Sequence, residues 1–253
     1  MSGRPHALVT GANRGIGAAI ARRLASAGAD VTLLVRSRDA GEAIARELPG
    51  APLVVTASVT DAEAVHAAIS VAEAAKGPVT WCVNNAGAAE SAPFLKTGPE
   101  VWQRALDVNL LGAVHVSRRV LPGMLDFGSG QIVMIASTAG LTGYPYVSAY
   151  VAAKHAVIGL VRALDAEFGA RGIAVNAICP GFTDTDLVAD SVSRIVSTTG
   201  RSVDAARAAL AKANPQGRLL TPDEVADVVR WLLVDTRGVV RGRTIGVDGG
   251  ELA

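Results

Sequence analysis

The sequence predicts an α/β fold, a Rossmann-type doubly wound parallel sheet of seven strands with helices on both faces. Short strand-like runs alternate with longer helical runs, the strand runs are continuously apolar, and no repeat, linker or low-complexity segment interrupts them. Alternating elements indicate a parallel sheet covered on both faces, and full burial requires continuously apolar strands. We therefore expect a single domain over residues 1–253.

Seven short apolar runs are the predicted strands. They cover residues 6–10, 30–35, 52–57, 79–83, 131–136, 173–178 and 243–247. Helices are predicted over residues 15–27, 39–48, 61–76, 99–126 and 148–169, and a further helix begins after Thr221. In the first helix, Ile16, Ile20 and Leu24 recur at four-residue spacing and therefore share one face. Residues 184–214 have a weaker, mixed pattern that we interpret as a substrate lid, with a passive surface helix pair as the alternative.

Charge balance and cysteine content exclude several classes of function. The formal net charge is +1, and no aromatic-plus-basic stripe occurs, so nucleic acid is not an expected partner. No apolar run approaches the ~20 residues of a membrane span, and the first residues lack a signal-peptide layout. Cys82 and Cys179 lie in apolar runs and are predicted to be buried, reduced thiols. No Cys/His cluster predicts a metal, so we expect a metal-free cytoplasmic protein that binds no membrane.

A glycine-rich turn joins the first predicted strand to the first helix. In the segment TGANRGIG, Gly11, Gly15 and Gly17 permit a tight turn and a close backbone approach to a pyrophosphate. The position between strand and helix favours a dinucleotide site over an ordinary turn. Arg36 stands where an NAD-binding fold places an acidic residue, and Arg14 lies within the turn. Both cations favour the 2′-phosphate of NADP(H), with NAD(H) as the alternative.

A tyrosine and a lysine are spaced for acid/base chemistry. Tyr150 and Lys154 lie four residues apart in a predicted helix and therefore share a face. A nearby ammonium favours the phenolate, so we expect Lys154 to lower the pKa of Tyr150. Ser137 follows the fifth strand at its carboxyl end, where open α/β sheets place their ligands. Taken alone, the tyrosine–lysine spacing is typical of a surface pair, and the prediction depends on the combination with the glycine turn.

Together these motifs resemble the short-chain dehydrogenase/reductase family over essentially the whole chain. The resemblance implies that Asn109, Ser137, Tyr150 and Lys154 are catalytic, with Tyr150 as acid/base and Ser137 stabilising the substrate oxygen. It further implies that Lys154 binds the nicotinamide ribose and that the backbone carbonyl of Asn109 holds a proton-relay water. The predicted cofactor-binding residues are Gly11, Asn13, Arg14, Gly15, Ile16, Gly17, Arg36, Ser37, Ser58, Val59, Asn85, Ala86, Gly87, Tyr150, Lys154, Pro180, Gly181, Thr183 and Thr185. At Ser58 the family usually has an aspartate, and its absence predicts weaker adenine binding.

The resemblance also implies a reaction. Hydride passes between NADP(H) and a ketone or secondary alcohol, and the similar proteins act on 3-oxoacyl or 3-hydroxyacyl thioesters or on polyketides. Reductases of carrier-protein substrates often use two arginines, of which Arg171 matches one, whereas Gln131 occupies the other position. This departure favours a CoA thioester or a free β-keto compound. Tyr144 and Tyr146 either line the substrate pocket or pack as ordinary amphipathic residues.

Other functions remain as alternatives at this stage. One alternative is a dehydrogenase of a cyclic or aromatic secondary alcohol that uses NAD. Another is a cofactor-binding subunit without turnover, although such subunits usually lack the tyrosine or lysine. Epimerases and dehydratases use the same pair but carry a larger C-terminal domain, so they rank last. The resemblance implies a homotetramer, or a dimer, with a small-molecule substrate.

Overall fold

The computed structural model describes residues 4–252, and their seven strands form one parallel sheet in the order β3-β2-β1-β4-β5-β6-β7. The strands are β1 (His6–Thr10), β2 (Asp30–Val35), β3 (Leu53–Thr56), β4 (Trp81–Asn84), β5 (Gly130–Ile135), β6 (Ile173–Pro180) and β7 (Thr244–Val247). The predicted doubly wound sheet is confirmed. Among the residues described, no helix is long and apolar enough to span a bilayer.

Nine α-helices connect and cover the strands within residues 4–252. They are α1 (Gly15–Ser26), α2 (Arg38–Ala45), α3 (Ala62–Lys76), α4 (Pro99–Leu106), α5 (Gly112–Phe127), α6 (Ser148–Phe168), α7 (Asp186–Thr199), α8 (Val203–Ala211) and α9 (Pro222–Arg230). Residues of α3, α5 and α6 share an apolar core with one face of the sheet. Residues of α1, α2 and α9 share a second core with the other face.

Both cores bury their large aliphatic side chains almost completely. Leu8 and Ile132 are fully buried on one face, and Ile20 and Leu33 on the other. Each such side chain contributes about 1.5–3 kcal/mol through burial. This burial explains why the strand segments are predominantly apolar.

The largest departures from the predicted elements concern three segments, and several other element ends shift by one to three residues. The predicted helix 99–126 is divided into α4 and α5 by a π-helical turn at Asp107–Leu111. The fourth strand begins at Trp81 rather than at residue 79, because its ladder with β1 starts at the pair Ala7–Trp81. Residues 184–214 contain α7 and α8, which enclose a small apolar cluster of their own.

Candidate active site

The predicted site lies at the carboxyl ends of β1 and β4, where the strand order changes direction. Open α/β sheets bind their ligands at such a switch point. The Thr10 hydroxyl oxygen accepts hydrogen bonds of 2.9 Å from the backbone N–H groups of both Asn85 and Ala86. In return, the Asn85 side-chain amide donates to the carbonyl oxygens of Thr10 and Gly11. The glycine turn after β1 is therefore fixed to the segment after β4.

The glycine turn has the geometry of an anion cradle. Gly11 and Gly15 adopt φ angles of +64° and +52°, which favour glycine. A Cβ at Gly17 would lie 2.4 Å from the Gly11 carbonyl oxygen and 2.5 Å from Asn85 Nδ2, so no larger residue fits. The N-cap of α1, Arg14, makes no side-chain capping bond. The first amide groups of α1 thus have no side-chain cap, and the turn fits the pyrophosphate of a dinucleotide.

The two arginines proposed to bind a 2′-phosphate have different surroundings. Arg36 is exposed directly after β2 and forms no ion pair within residues 4–252. It lies near the glycine turn, because the Gly11 N–H donates to the Leu34 carbonyl at 2.9 Å. Arg14 instead pairs with Asp186 at the start of α7, at 2.7 Å, with both side chains exposed. Arg36 is therefore the more available of the two cations.

The remaining residues of the predicted adenosine region lie around the same strand ends. Ser37 caps α2 by accepting from the Ala40 N–H at 3.5 Å. The Ser58 hydroxyl is 2.8 Å from the Thr60 hydroxyl, within its own turn. Val59 is buried, and its Cγ2 would lie 2.7 Å from a Cβ added at Gly112. Asn13 and Ile16 are partly exposed in the glycine turn and at the start of α1.

Ser137 and Tyr150 are brought together at the carboxyl end of β5. Ser137 begins the short 3₁₀ turn Thr138–Gly140, and its hydroxyl accepts from the Ala139 N–H at 3.1 Å. Burial raises the pKa of Tyr150 to about 12, while contact with the Ser137 side chain acts in the opposite direction. The phenol is therefore protonated near neutral pH and can donate a proton beside the serine hydroxyl.

Lys154 places its ammonium group over the face of the Tyr150 ring. Its Nζ is 5.6 Å from the centroid of the Tyr150 ring and donates to the Ile135 carbonyl at 2.8 Å. Burial lowers the pKa of Lys154 to about 8. The expectation that Lys154 brings the pKa of Tyr150 below its ordinary value is wrong for this structure, because burial disfavours both charged forms and dominates at the phenol.

Asn109 occupies the π-helical turn and ties it to the segment after β4. Its side-chain Nδ2 donates to the backbone carbonyls of Ala88 and Ala105 at 2.8 and 2.9 Å. Its side-chain Oδ1 accepts from the backbone N–H of Ala88. A Cβ at Gly87 would lie 3.0 Å from Asn109 Oδ1 and 3.6 Å from Lys154 Nζ. A cavity of about 10 Å³ is lined by Asn109, Lys154 and their neighbours. Its volume is close to that of one water molecule.

The segment after β6 closes over the glycine turn. Gly181, which follows Pro180, donates its N–H to the Val247 carbonyl at 3.0 Å. The Thr183 hydroxyl donates to the Gly181 carbonyl, and the Thr185 hydroxyl donates to the Thr183 carbonyl. A Cβ at Gly15 would lie 3.2 Å from Thr185 Cγ2, so this segment and the glycine turn touch.

Sequence reasoning missed three groups of this site. The Thr10 hydroxyl and the Ile135 carbonyl fix the glycine turn and Lys154, respectively. Thr10 directly precedes Gly11, so its position in the motif was an available signal. Buried Cys179, whose thiol pKa burial raises to about 11, lies near Ser137 and Lys154. Its closeness depends on the pairing of β5 with β6, which no local pattern reveals.

Comparison with known proteins identifies the family. Residues 5–195 match the family described as short chain dehydrogenase. The chain is 36% identical over 245 residues to an acetoacetyl-CoA reductase of Shinella zoogloeoides, with 97% of each protein covered. It is 35% identical to a putative ketoacyl reductase of Streptomyces coelicolor, with 96% of this chain and 95% of that protein covered. A crystal structure of an actinorhodin polyketide ketoreductase variant with NADPH matches with a TM-score of 0.94 and 34% identity, covering 98% of this chain and 97% of the other. As its motifs predicted, the chain belongs to the short-chain dehydrogenase family of oxidoreductases.

Proposed function

We propose that the protein is an NADP(H)-dependent ketoreductase that interconverts a β-keto compound and its secondary alcohol, with a 3-oxoacyl thioester as the substrate class. The observation that carries this proposal is that Ser137 contacts Tyr150 and that Lys154, 5.6 Å from the Tyr150 ring, lines a cavity together with Thr10, the residue before the glycine turn. An acid, a hydroxyl donor and a buried ammonium at one strand end are the groups that carbonyl reduction requires.

The chain's own residues supply the proton and hold the reactants. Gly11, Gly15 and Gly17 would hold the cofactor pyrophosphate, and Lys154 its nicotinamide ribose. When bound, the reduced nicotinamide supplies a hydride to the carbonyl carbon. Tyr150 donates its phenol proton to the carbonyl oxygen, and the Ser137 hydroxyl stabilises the charge that develops there. The proton lost from Tyr150 returns from solvent past Lys154 and the cavity beside Asn109.

The exposed arginine directly after β2 supports NADP(H) over NAD(H). Arg36 has no acidic partner within the described residues, and no acidic residue stands at the end of β2 to repel a phosphate. The similar ketoreductase crystal structure contains NADPH, which agrees with this preference.

Arg36→Asp is expected to lower kcat/KM for NADPH at least about tenfold while sparing kcat/KM for NADH, because a carboxylate repels the 2′-phosphate. Arg4→Asp, at an exposed position before β1, is the control. If Arg36→Asp leaves the ratio of kcat/KM for NADPH to kcat/KM for NADH unchanged, Arg36 does not belong to the cofactor site.

The relatives and one side chain support a thioester or free substrate over a carrier-protein substrate. The similar proteins include an acetoacetyl-CoA reductase and ketoacyl or polyketide reductases. Gln131 donates its side-chain N–H to the Leu233 carbonyl at 2.9 Å and is partly buried, so it is engaged within the fold. It supplies no charge for an acidic carrier protein.

The segment between β6 and α9 would cover the substrate. We place the substrate lid at residues 184–214, because α7 and α8 have their own apolar cluster and the N-cap residue of α7, Thr185, contacts Gly15. We propose a single domain, a homotetramer or a dimer, and a cytoplasmic location, which the two free thiols support. Light scattering after gel filtration measures the oligomeric state.

The decisive experiment is a substrate panel with both cofactors. Purified protein is mixed with NADPH or NADH and with acetoacetyl-CoA, short β-keto esters, cyclic ketones and aromatic ketones, and loss of reduced cofactor is followed. We expect NADPH oxidation with the β-keto compounds. Turnover only with cyclic or aromatic ketones and NADH would replace the proposed substrate class, and NADPH binding without any turnover would indicate a non-catalytic subunit.

A further inference from the structure

A tyrosine and a glutamate form a polar pair next to the catalytic serine. The Tyr144 hydroxyl donates to the Glu251 carboxylate and lies 2.9 Å from the Thr138 hydroxyl oxygen. The Tyr144 ring packs edge-on against Phe182, with centroids 5.8 Å apart. Thr138 follows Ser137, and Phe182 follows Gly181 in the segment predicted to hold the nicotinamide. The Tyr144–Glu251 pair therefore lies between the catalytic serine and that segment.

The C-terminal turn holds Glu251 in this position. The Asp248 carboxylate accepts hydrogen bonds from the Gly250 N–H at 3.0 Å and from the Leu252 N–H at 3.2 Å. Gly249 and Gly250 adopt positive φ angles of 65° and 91°. The turn bends the chain after β7 back toward β6, so the carboxylate is placed by backbone geometry rather than by a flexible tail.

One oxygen of the Glu251 carboxylate has unused acceptor capacity. Within residues 4–252, Oε2 is buried and has no hydrogen-bond partner, whereas Oε1 accepts from Tyr144. A Cβ added at Gly181 would lie 2.6 Å from Oε2, so this oxygen packs against the backbone of the segment that is predicted to hold the nicotinamide. A buried acceptor without a donor is unfavourable, and a donor from a ligand would relieve it.

We propose that Glu251, oriented by Tyr144, is a specificity-determining residue that accepts a hydrogen bond from a neutral substrate and disfavours substrates with a carboxylate near the reacting ketone. This inference rests on the proposed ketoreductase function. A rotation of the carboxylate away from Gly181 would bring Oε2 to a substrate N–H or O–H group, whereas a substrate carboxylate would meet a second negative charge in a partly buried site. The pocket would then select amides, hydroxylated ketones and thioesters over free β-keto acids.

Acetoacetamide and acetoacetate test the proposal, because they share a skeleton and differ only in an amide against a carboxylate. Each is measured as a competitive inhibitor of the best β-keto substrate of the panel, so binding is observed whether or not it is reduced. We expect wild-type protein to bind acetoacetamide at least about tenfold more tightly than acetoacetate. Glu251→Gln keeps the shape and removes the charge, and it should reduce this ratio about tenfold, mainly through tighter binding of acetoacetate.

The controls separate this proposal from the proposed function. Glu63→Gln, an exposed carboxylate in the first turn of α3, should leave the inhibition ratio unchanged. Tyr144→Phe removes the hydrogen bond that orients Glu251 and should also reduce the preference for acetoacetamide over acetoacetate. This variant tests the proposal if Glu251→Gln fails to fold. Equal inhibition by the two compounds, inhibition by neither, or an unchanged ratio in a folded Glu251→Gln variant overturns the role of Glu251. Failure of every panel substrate instead overturns the ketoreductase proposal.

Discussion

Burial controls the charges of the two titratable groups at the centre of the site. It raises the pKa of Tyr150 to about 12 and lowers that of Lys154 to about 8. The protonated phenol can donate a proton but is a poor base near neutral pH. Within the described residues, the hydrogen bond with the Ser137 side chain is the one interaction that lowers the pKa of the Tyr150 phenol. A protonated phenol therefore fits the role of proton donor in carbonyl reduction.

Tyr150→Phe is expected to lower kcat at least about 100-fold, because it removes the proton donor and leaves the ring in place. NADPH binding, followed by cofactor fluorescence, should change less than about threefold, since the glycine turn is untouched. Tyr146→Phe is the matched control, because Tyr146 is exposed and lies just before α6, four residues from Tyr150. Wild-type rates in Tyr150→Phe would show that another group donates the proton.

The rate of reduction should fall above about pH 8, where Lys154 loses its proton. Below that pH the ammonium is present and can hold the cofactor ribose, whereas Tyr150 stays protonated throughout this range. The measurement is kcat/KM against pH, which reports groups of the free enzyme. Lys154→Arg keeps a permanent positive charge, so its weaker activity should lack this alkaline decline. A decline that persists in Lys154→Arg assigns the titration to another group.

Among the secondary-structure elements, β1, β4 and the start of α1 act as one unit around the glycine turn. Thr10 accepts from two backbone amides after β4, and Asn85 donates back to the two carbonyls at the end of β1. The helix amides that would face the pyrophosphate are therefore positioned by a strand that is distant in sequence. A small shift of α1 away from this strand should change cofactor affinity without touching the catalytic residues.

Gly17→Ala is expected to cause that shift, because its Cβ would lie within 2.5 Å of both Gly11 O and Asn85 Nδ2. We expect at least about tenfold weaker NADPH binding and a loss of about 1–3 kcal/mol in unfolding free energy, as for other overpacked sites. Gly159→Ala is the control, since Gly159 lies in α6 with open space at its Cβ position and alanine is the better helix former. Equal cofactor affinity in both variants would show that the turn tolerates the added methyl group.

Across the whole molecule, stability comes from two apolar cores on either side of one sheet, together with a buried histidine at one end of the sheet. His6 begins β1, and its ring nitrogens lie 2.8 Å from the Gly77 carbonyl and 2.9 Å from the Thr32 hydroxyl. Burial is the largest cause that lowers its pKa. The neutral ring is thus part of the folded state and links β1, β2 and the segment after α3.

Acidification should destabilise the fold through His6. Because its folded pKa is lowered, the contribution of His6 is complete above the unfolded value of about 6.5 and is lost as the pH falls toward the folded value. Urea midpoints at about pH 7.5 and about pH 5.5 should therefore differ less in His6→Gln than in wild-type protein. His155→Gln, on the exposed side of α6, should retain the wild-type pH dependence. If the urea midpoint of His6→Gln falls as much as that of wild-type protein between the two pH values, the acid sensitivity belongs to other groups.

Local patterns predicted most of the fold and the motif residues of the candidate site. The apolar runs are strands because a sheet covered on both faces buries the central strands, and the glycine turn has the positive φ angles that its glycines permit. The π-helical turn at Asp107–Leu111 was missed, because its residues continue the same helical pattern on either side. The pKa of Tyr150 was predicted in the wrong direction, since it depends on burial by segments distant in sequence.

The sequence by itself determined the element order, the family motifs and the spacing of Tyr150 and Lys154, because each of these depends on neighbours within a few residues. Only the tertiary structure decided the position of Lys154 over the face of the tyrosine ring, the pairing of Arg14 with Asp186 and the contact of Glu251 with Tyr144. Tyr144 and Glu251 are 107 residues apart, and they meet because β7 lies beside β6 and a turn directs the following residues back to the site. Contacts between distant segments follow from sheet pairing and backbone turns, which no local pattern in the sequence contains.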